Sequence, residues 1–266
     1  MIEEPYRWVE AIGNRREYIE DQLRQGSPIV LVNYTDGLLL FTVSREARKI
    51  FEVYDRIVCS GLGHPADIER MRLAAIDLAH VEGFNRAVND VSLRRLVNFG
   101  LSPALKQAFE HIFGAPFIVK MLLAEVGEDA EHDFIVKLDY DGSYGRTEVE
   151  MREPFDVLAG AKEAEEQMLQ YLVEHNGNSR RALDDALRLA AKTWAVGMRR
   201  VTQTEVAAAE EGKAEQLPPD DELAKVLKDH LRARHVETAV MDRSRQVASK
   251  FRLLDEKEIR AALKDL

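Results

Sequence analysis

Cysteine is almost missing from this chain: Cys59 stands alone among 266 residues, so no internal disulfide is possible. It lies in an apolar run, where a thiol serves as a small hydrophobe sooner than as a nucleophile. No apolar run approaches the roughly eighteen residues of a membrane-spanning helix, so no membrane partner is expected. The start, MIEEPYRWVE, is charged and has no signal-peptide core, which points to the cytoplasm. Basic residues are in deficit, 37 against 47 acidic, for a net charge of −10. No basic stripe interleaved with aromatics offsets that deficit, so nucleic acid is not an expected partner. The histidines are scattered, with neither HxxxH nor paired-cysteine spacing, so no metal site is expected. Gly61-Leu62-Gly63 lacks the rest of a phosphate-cradling loop, and no cofactor is expected.

What the chain does have is a dense run of strand signals between Ser27 and Leu62. Pro28–Tyr34 is rich in β-branched residues. Thr35-Asp36-Gly37 reads as a turn in which Asp-Gly supplies a positive φ. Gly37–Thr42 is nearly all apolar, the pattern of a strand covered on both faces. Arg48-Lys49-Ile50 is a short charged crossing that leads to two further strands, the second over Ile57–Leu62. A lysine and an arginine beside a buried sheet serve as a solvated edge or as a carboxylate receptor, and residue type alone leaves both open. Ahead of this block, residues 6–25 show an amphipathic helical pattern, loosened at Gly13-Asn14. Trp8, Ile12, Ile19 and Leu23 share one face, and Gly26 is its C′ residue. Such a helix packs on the core or serves as a subunit contact.

Helical spacing returns over 66–87 through Ile68, Met71, Ala75 and Leu78. It returns again from Ser92, a candidate N-cap, to Phe113, a stretch that Pro103 should bend or break. Strands are expected at Phe117–Glu125, Phe134–Asp139 and Gly145–Met151, with a short one at Phe155–Ala159. Asp139 and Asp141 read as turn chemistry rather than as a catalytic pair. Two helices follow, 161–175 and 179–199, the second capped by Ser179. Strands, two helices, strands, two helices is the order of an α+β fold: a four-layer αββα sandwich of two antiparallel sheets, with a helical layer outside each. This domain covers 1–201. An acidic linker or helical extension occupies 202–234, around Pro218-Pro219. Residues 235–266 complete the same domain with strands at His235–Arg243 and Lys250–Leu254 and a final helix capped by Asp255.

Several segments carry a resemblance in order and with preserved spacing. They are REYIEDQLRQGS (16–27), YTDGLLLF (34–41), KIFEVYDRIVCSGL (49–62), ADIERMRLAAIDLAHVEG (66–83), LAEVG (123–127), LDYDGS (138–143) and VETAVMDRS (236–244). Together they resemble the α-type proteasome subunit of bacterial, actinobacterial-like 20S particles. The resemblance implies a fold of the Ntn-hydrolase type and a non-catalytic subunit. It implies a heptameric outer ring of identical α subunits, stacked on β-type subunits and gating the passage of unfolded protein substrates. Its intersubunit pockets would take the C-terminal tails of a ring-shaped AAA ATPase activator. On this resemblance Lys49 meets the tail carboxylate. Gly61 and Leu62 lie at the neighbouring strand end, and Glu17 and Tyr18 on the first helix position the tail. Phe113, Gly114, Ala115 and Pro116 form the inner constriction, and Tyr6 lies at the gate. There are two departures. Glu20 stands where the family commonly has arginine, and no Tyr-Asp-Arg gate motif precedes the helix, so a gate that is built differently or is leaky is expected.

The same fold type includes hydrolases, whose nucleophile is a threonine freed by cleavage after glycine and activated by its own amine. Gly26-Ser27 is the only such junction at this place. The resemblance puts the family's catalytic aspartate at Val43 and its lysine near Cys59, and neither residue can do that electrostatic work. The rivals to a gating subunit are a self-processing hydrolase using Ser27 and a stand-alone interaction module of the same fold.

Overall fold

The computed structural model describes residues 5–44, 47–145, 154–176, 181–206, 217–231 and 235–264, the side chains of residues 5, 6 and 203–206 excepted. Strands β1 (Ile29–Tyr34) and β2 (Gly37–Ser44) form the expected hairpin, and every residue of both is buried. They occupy the middle of one antiparallel sheet, with β8 (Asp156–Leu158) beside β1, β9 (His235–Asp242) beside β2, and β10 (Phe251–Leu253) at the far edge. The second antiparallel sheet runs β3 (Ile50–Tyr54), β4 (Ile57–Gly63), β5 (Val119–Glu125), β6 (Phe134–Leu138) and β7 (Tyr144–Gly145).

The period-two alternation of these strands builds three apolar layers. Leu38 and Leu40 of β2, with Val58 and Leu62 of β4, face one another between the sheets. Leu39, Phe41 and Val43 point the other way, onto α5 (Lys162–His175) and α6 (Leu183–Val206). Ile57 and Cys59 point outward from the second sheet, onto α2 (Pro65–Asn85), α3 (Leu93–Leu96) and α4 (Ser102–Glu110). The result is the αββα sandwich. Because both faces are covered, a one-residue slip of β2 would move every side chain to the wrong layer, and each fully buried leucine contributes about 1.5–3 kcal/mol, so register is strongly fixed.

Local chemistry differs from expectation at several points. Gly37 does have a positive φ, but at 159° it is nearly extended. What requires glycine there is close approach: a Cβ would lie 1.8 Å from the Met241 carbonyl oxygen of β9. Helix α1 (Pro5–Arg24) runs unbroken through Gly13-Asn14, where a Cβ on Gly13 would meet nothing within 4 Å. The helix expected over 92–113 is three pieces, because a π turn at Val97–Leu101 sits just before Pro103. The wider turn lets the chain re-enter a helix at the proline, which has no N–H to donate. Ser92 holds the N-cap position of α3, but its side chain does not cap. The Glu125 carboxylate accepts from Leu93 N–H at 2.8 Å instead. Asp255 caps α8 (Glu256–Ala262) in a full capping box with Glu258. Helix α7 (Asp220–Leu231) falls within the stretch read as a linker or extension, and its Leu223 and Leu227 are buried in the layer that includes α6. The expected strand at 145–151 lies mostly outside the described residues, as does Ser179. Among the described residues no helix is long and apolar enough to cross a membrane.

Candidate functional site

Helix α1 crosses one end of the sandwich. Its Ile19 and Leu23 are fully buried in the layer between the sheets. At its C-terminus Gly26 N–H donates to the Leu23 carbonyl at 2.8 Å, but Gly26 does not take the left-handed conformation of a glycine cap; it is close approach that needs glycine, since a Cβ would lie 2.7 Å from the Leu62 side chain. Gly160, just after β8, is pressed against the same carbonyl, where a Cβ would lie 1.8 Å from the oxygen. Two polar contacts fix the helix to the β6–β7 turn. The Tyr140 hydroxyl donates to Glu20 at 2.7 Å, and Arg16 meets Asp141 at 3.4 Å. Glu20, the departure from the family's arginine, therefore has a use within the chain. Burial and the Glu20 carboxylate push the Tyr140 phenol well above its usual range.

Lys49 lies between β2 and β3, half-buried beside the start of β1. Its ammonium donates to the Ser27 carbonyl at 3.0 Å, and its own carbonyl accepts from Gly61 N–H at 3.1 Å. Its backbone N–H and that of Ile50 donate to the two carboxylate oxygens of Glu237, at 2.8 and 2.9 Å. Arg48 reaches the same carboxylate at 3.4 Å. Burial raises the Glu237 carboxyl despite these donors. Glu237 is the residue that sequence reasoning missed. Its only signal was an acidic residue two positions before Ala239, on the strand face that turns to the inter-sheet layer.

Three of the five expected pocket residues are thus neighbours: Lys49, Gly61 and Leu62, the last two buried. Glu17 and Tyr18 are exposed on α1, and neither is joined to Lys49 by a hydrogen bond or ion pair. At about 1.5 Å rise per residue they stand roughly 10 Å before the helix end at Arg24.

The same neighbourhood bears on nucleophilic chemistry. The Ser27 hydroxyl donates to the Val43 carbonyl at 2.6 Å and accepts from the Trp194 indole N–H at 3.1 Å. Val43 faces α6, and Cys59 faces α2 on the far sheet, so the two point to opposite outer layers. The amine beside Ser27 is Lys49, which corrects the assignment near Cys59: side chains alternate along β4, and position 59 faces away from the inter-sheet layer. Burial pushes the Cys59 thiol up to about 12. Further charges pair where β5, β6 and β8 converge. Lys137 lies 3.3 Å from the fully buried Asp156 and 3.7 Å from Glu165, and Lys120 lies 3.6 Å from Asp139. Burial raises both Asp139 and Glu165. Among the described residues no group of three or more His, Cys, Asp or Glu is arranged to hold a metal.

The 111–116 loop joins α4 to β5. Phe113 at its tip is 99% exposed. Arg15 of α1 donates to the Gly114 carbonyl at 2.9 Å, and Ala115 and Pro116 lead on toward the strand. Tyr6 is in the first turn of α1, and its side chain lies outside the described atoms.

Comparison with known proteins adds the following. The family model described as "Proteasome subunit" matches residues 25–202. A "Proteasome subunit alpha" of Streptosporangium roseum is 34% identical over 132 residues, 49% of this chain and 50% of that protein. The match therefore spans half of that relative's length. A protein of the same name from Nocardioides sp. is 29% identical over 244 residues, 90% of this chain and 80% of the relative. One from Frankia alni is 31% identical over 192 residues, 70% and 74% respectively.

Proposed function

Because the chain belongs to the proteasome subunit family and its relatives are actinobacterial alpha subunits, we propose that it is a non-catalytic α-type subunit of a bacterial 20S-type proteasome core. In this reading, copies of the chain form a cytoplasmic outer ring on β-type subunits. The ring gates the passage of unfolded protein to their chamber and docks the tails of a ring-shaped AAA ATPase around Lys49. The observation that carries the non-catalytic reading is the state of Ser27. Its hydroxyl is held between Val43 and Trp194, and its backbone nitrogen continues into α1, which closes that end of the sandwich. Exposed apolar groups support ring contacts: Trp8 and Val9 on α1, and Leu73, Val81 and Phe84 on the outer helical layer. The placement of Lys49 supports the docking role, since its ammonium lies half-buried beside the start of β1 and its carbonyl is tied to Gly61, another expected pocket residue. Glu17 and Tyr18 would contribute to a pocket shared between adjacent copies, and the 113–116 loop would line the path beneath the gate.

The test uses the chain co-expressed with the β-type subunit of its own genome. Lys49→Ala should weaken ATPase-dependent degradation of folded proteins and leave ring assembly and basal peptide cleavage intact. Unchanged activator binding in that variant removes the pocket assignment. The adjacency of Ser27 and Lys49 gives the self-processing rival one foothold, and intact mass decides it. Loss of the first 26 residues would favour a hydrolase, and their retention the gating subunit.

A further inference from the structure

We propose that Arg15 is a positioning residue that couples α1 to the 111–116 loop, fixing the loop's main chain through three carbonyl oxygens gathered on one guanidinium. This rests on the reading above, in which that loop lines the path of the substrate. The argument begins with the end of α4. A helix leaves its last carbonyls without partners inside it. Here Gln107 O is taken by His111 N–H at 3.1 Å, and His111 O by Gly114 N–H at 3.0 Å. The carbonyls of Ala108, Ile112 and Gly114 all accept from Arg15, at 3.0, 3.3 and 2.9 Å. They belong to the helix end, the loop's start and its turn, so one side chain spans the whole bend.

Nothing else competes for Arg15. Among the described residues no carboxylate pairs with it, and its Nε is buried without a partner. The favourable charge it meets is the negative end of α4. A planar fork of donors suits three carbonyls in this arrangement, whereas an ammonium is a single point with different reach. The loop tip has no side-chain anchor of its own, since Phe113 is almost wholly in solvent. Its placement is therefore inherited from α1, and Glu17 and Tyr18 lie within one turn of Arg15 on the same helix. A partner that shifts α1 shifts the loop with it.

The experiment places a nitroxide label on Phe113→Cys in the full chain. Cys59 is buried, so the introduced thiol is the reactive one. Arg15→Ala and Arg15→Lys should each shorten the label's rotational correlation time several-fold while circular dichroism stays native. In particles with the β-type subunit, both should change degradation of an unfolded protein relative to cleavage of a short fluorogenic peptide. An unmoved label overturns the proposal whatever the particle does. A loosened label with an unchanged protein-to-peptide ratio overturns the coupling to substrate passage. If Arg15→Ala does not fold, the lysine variant decides both points. Failure to associate with any β-type subunit overturns the functional reading instead, and leaves the label to judge the anchor.

Discussion

Glu237→Gln is the perturbation whose size follows most directly from the geometry. Two backbone N–H groups meet its carboxylate at 2.8 and 2.9 Å, and its side chain is 10% exposed. Hydrogen bonds to a charged group contribute about 1.5–3 kcal/mol each, and a neutral one about 0.5–1.5. Glutamine keeps one carbonyl oxygen, so it retains one bond at neutral strength and turns an NH₂ toward the second donor. The burial that raises the Glu237 carboxyl offsets part of the loss, because the charge is itself costly there. The net destabilisation is about 2–3 kcal/mol, equivalent to a fall in Tm of roughly 4–8 °C in a chain of this size. Urea unfolding followed by circular dichroism measures it, with the m-value as a check that both chains unfold to the same extent. A loss below about 0.5 kcal/mol would show that strand β3 does not depend on this carboxylate, since surface substitutions lie in that range. It would also remove the account of how Lys49 is placed.

Other outcomes follow from the same geometry. Burial is the first cause raising the carboxyls of Glu125, Asp133, Asp139, Glu165 and Glu237. In the window between their ordinary and raised values the folded chain holds more protons than the unfolded one, so stability falls as pH rises through the folded values. Tm at about pH 5.5 should therefore equal or exceed that at about pH 7.5, and a clear drop on acidification would contradict it. The exposed Asp129, held low first by His132, works in the opposite sense and costs stability only as pH falls through its lowered value. Cys59, buried and with its thiol pushed up to about 12, should resist maleimide in the native chain and label readily in denaturant. Rapid native labelling would mean that the layer under α2 opens.

The strands were legible because their alternation is local. β1, β2, β4 and β5 announce themselves in runs of apolar residues, and Asp255 marks a helix boundary by chemistry confined to a few positions. The candidate site was legible only in part. Lys49 could be named, but its carboxylate neighbour lies 188 residues away on β9, and Arg15 meets the end of α4 and the 111–116 loop across 93 to 99 residues. No periodicity carries such pairings. Glu20 looked like a missing positive charge until Tyr140 appeared beside it. The π turn was equally hidden, because Pro103 signals a disturbance without saying which turn absorbs it.

The contact between Leu23 and Gly160 also sets an order of events during synthesis. Helix α1 is made before the surfaces that receive it, which come from β4, the β6–β7 turn and, roughly 140 residues later, Gly160. At about 5–20 residues per second the ribosome needs on the order of 7–28 s to supply them. For that interval the apolar face bearing Ile19 and Leu23 has only part of its native surroundings, the β1, β2 and β4 residues of the inter-sheet layer, and a chain growing beside its siblings would meet other copies of the same face. Helix α1 thus completes its docking long after it is made, and the yield of folded chain should be sensitive to translation rate and to chaperones that shield this segment.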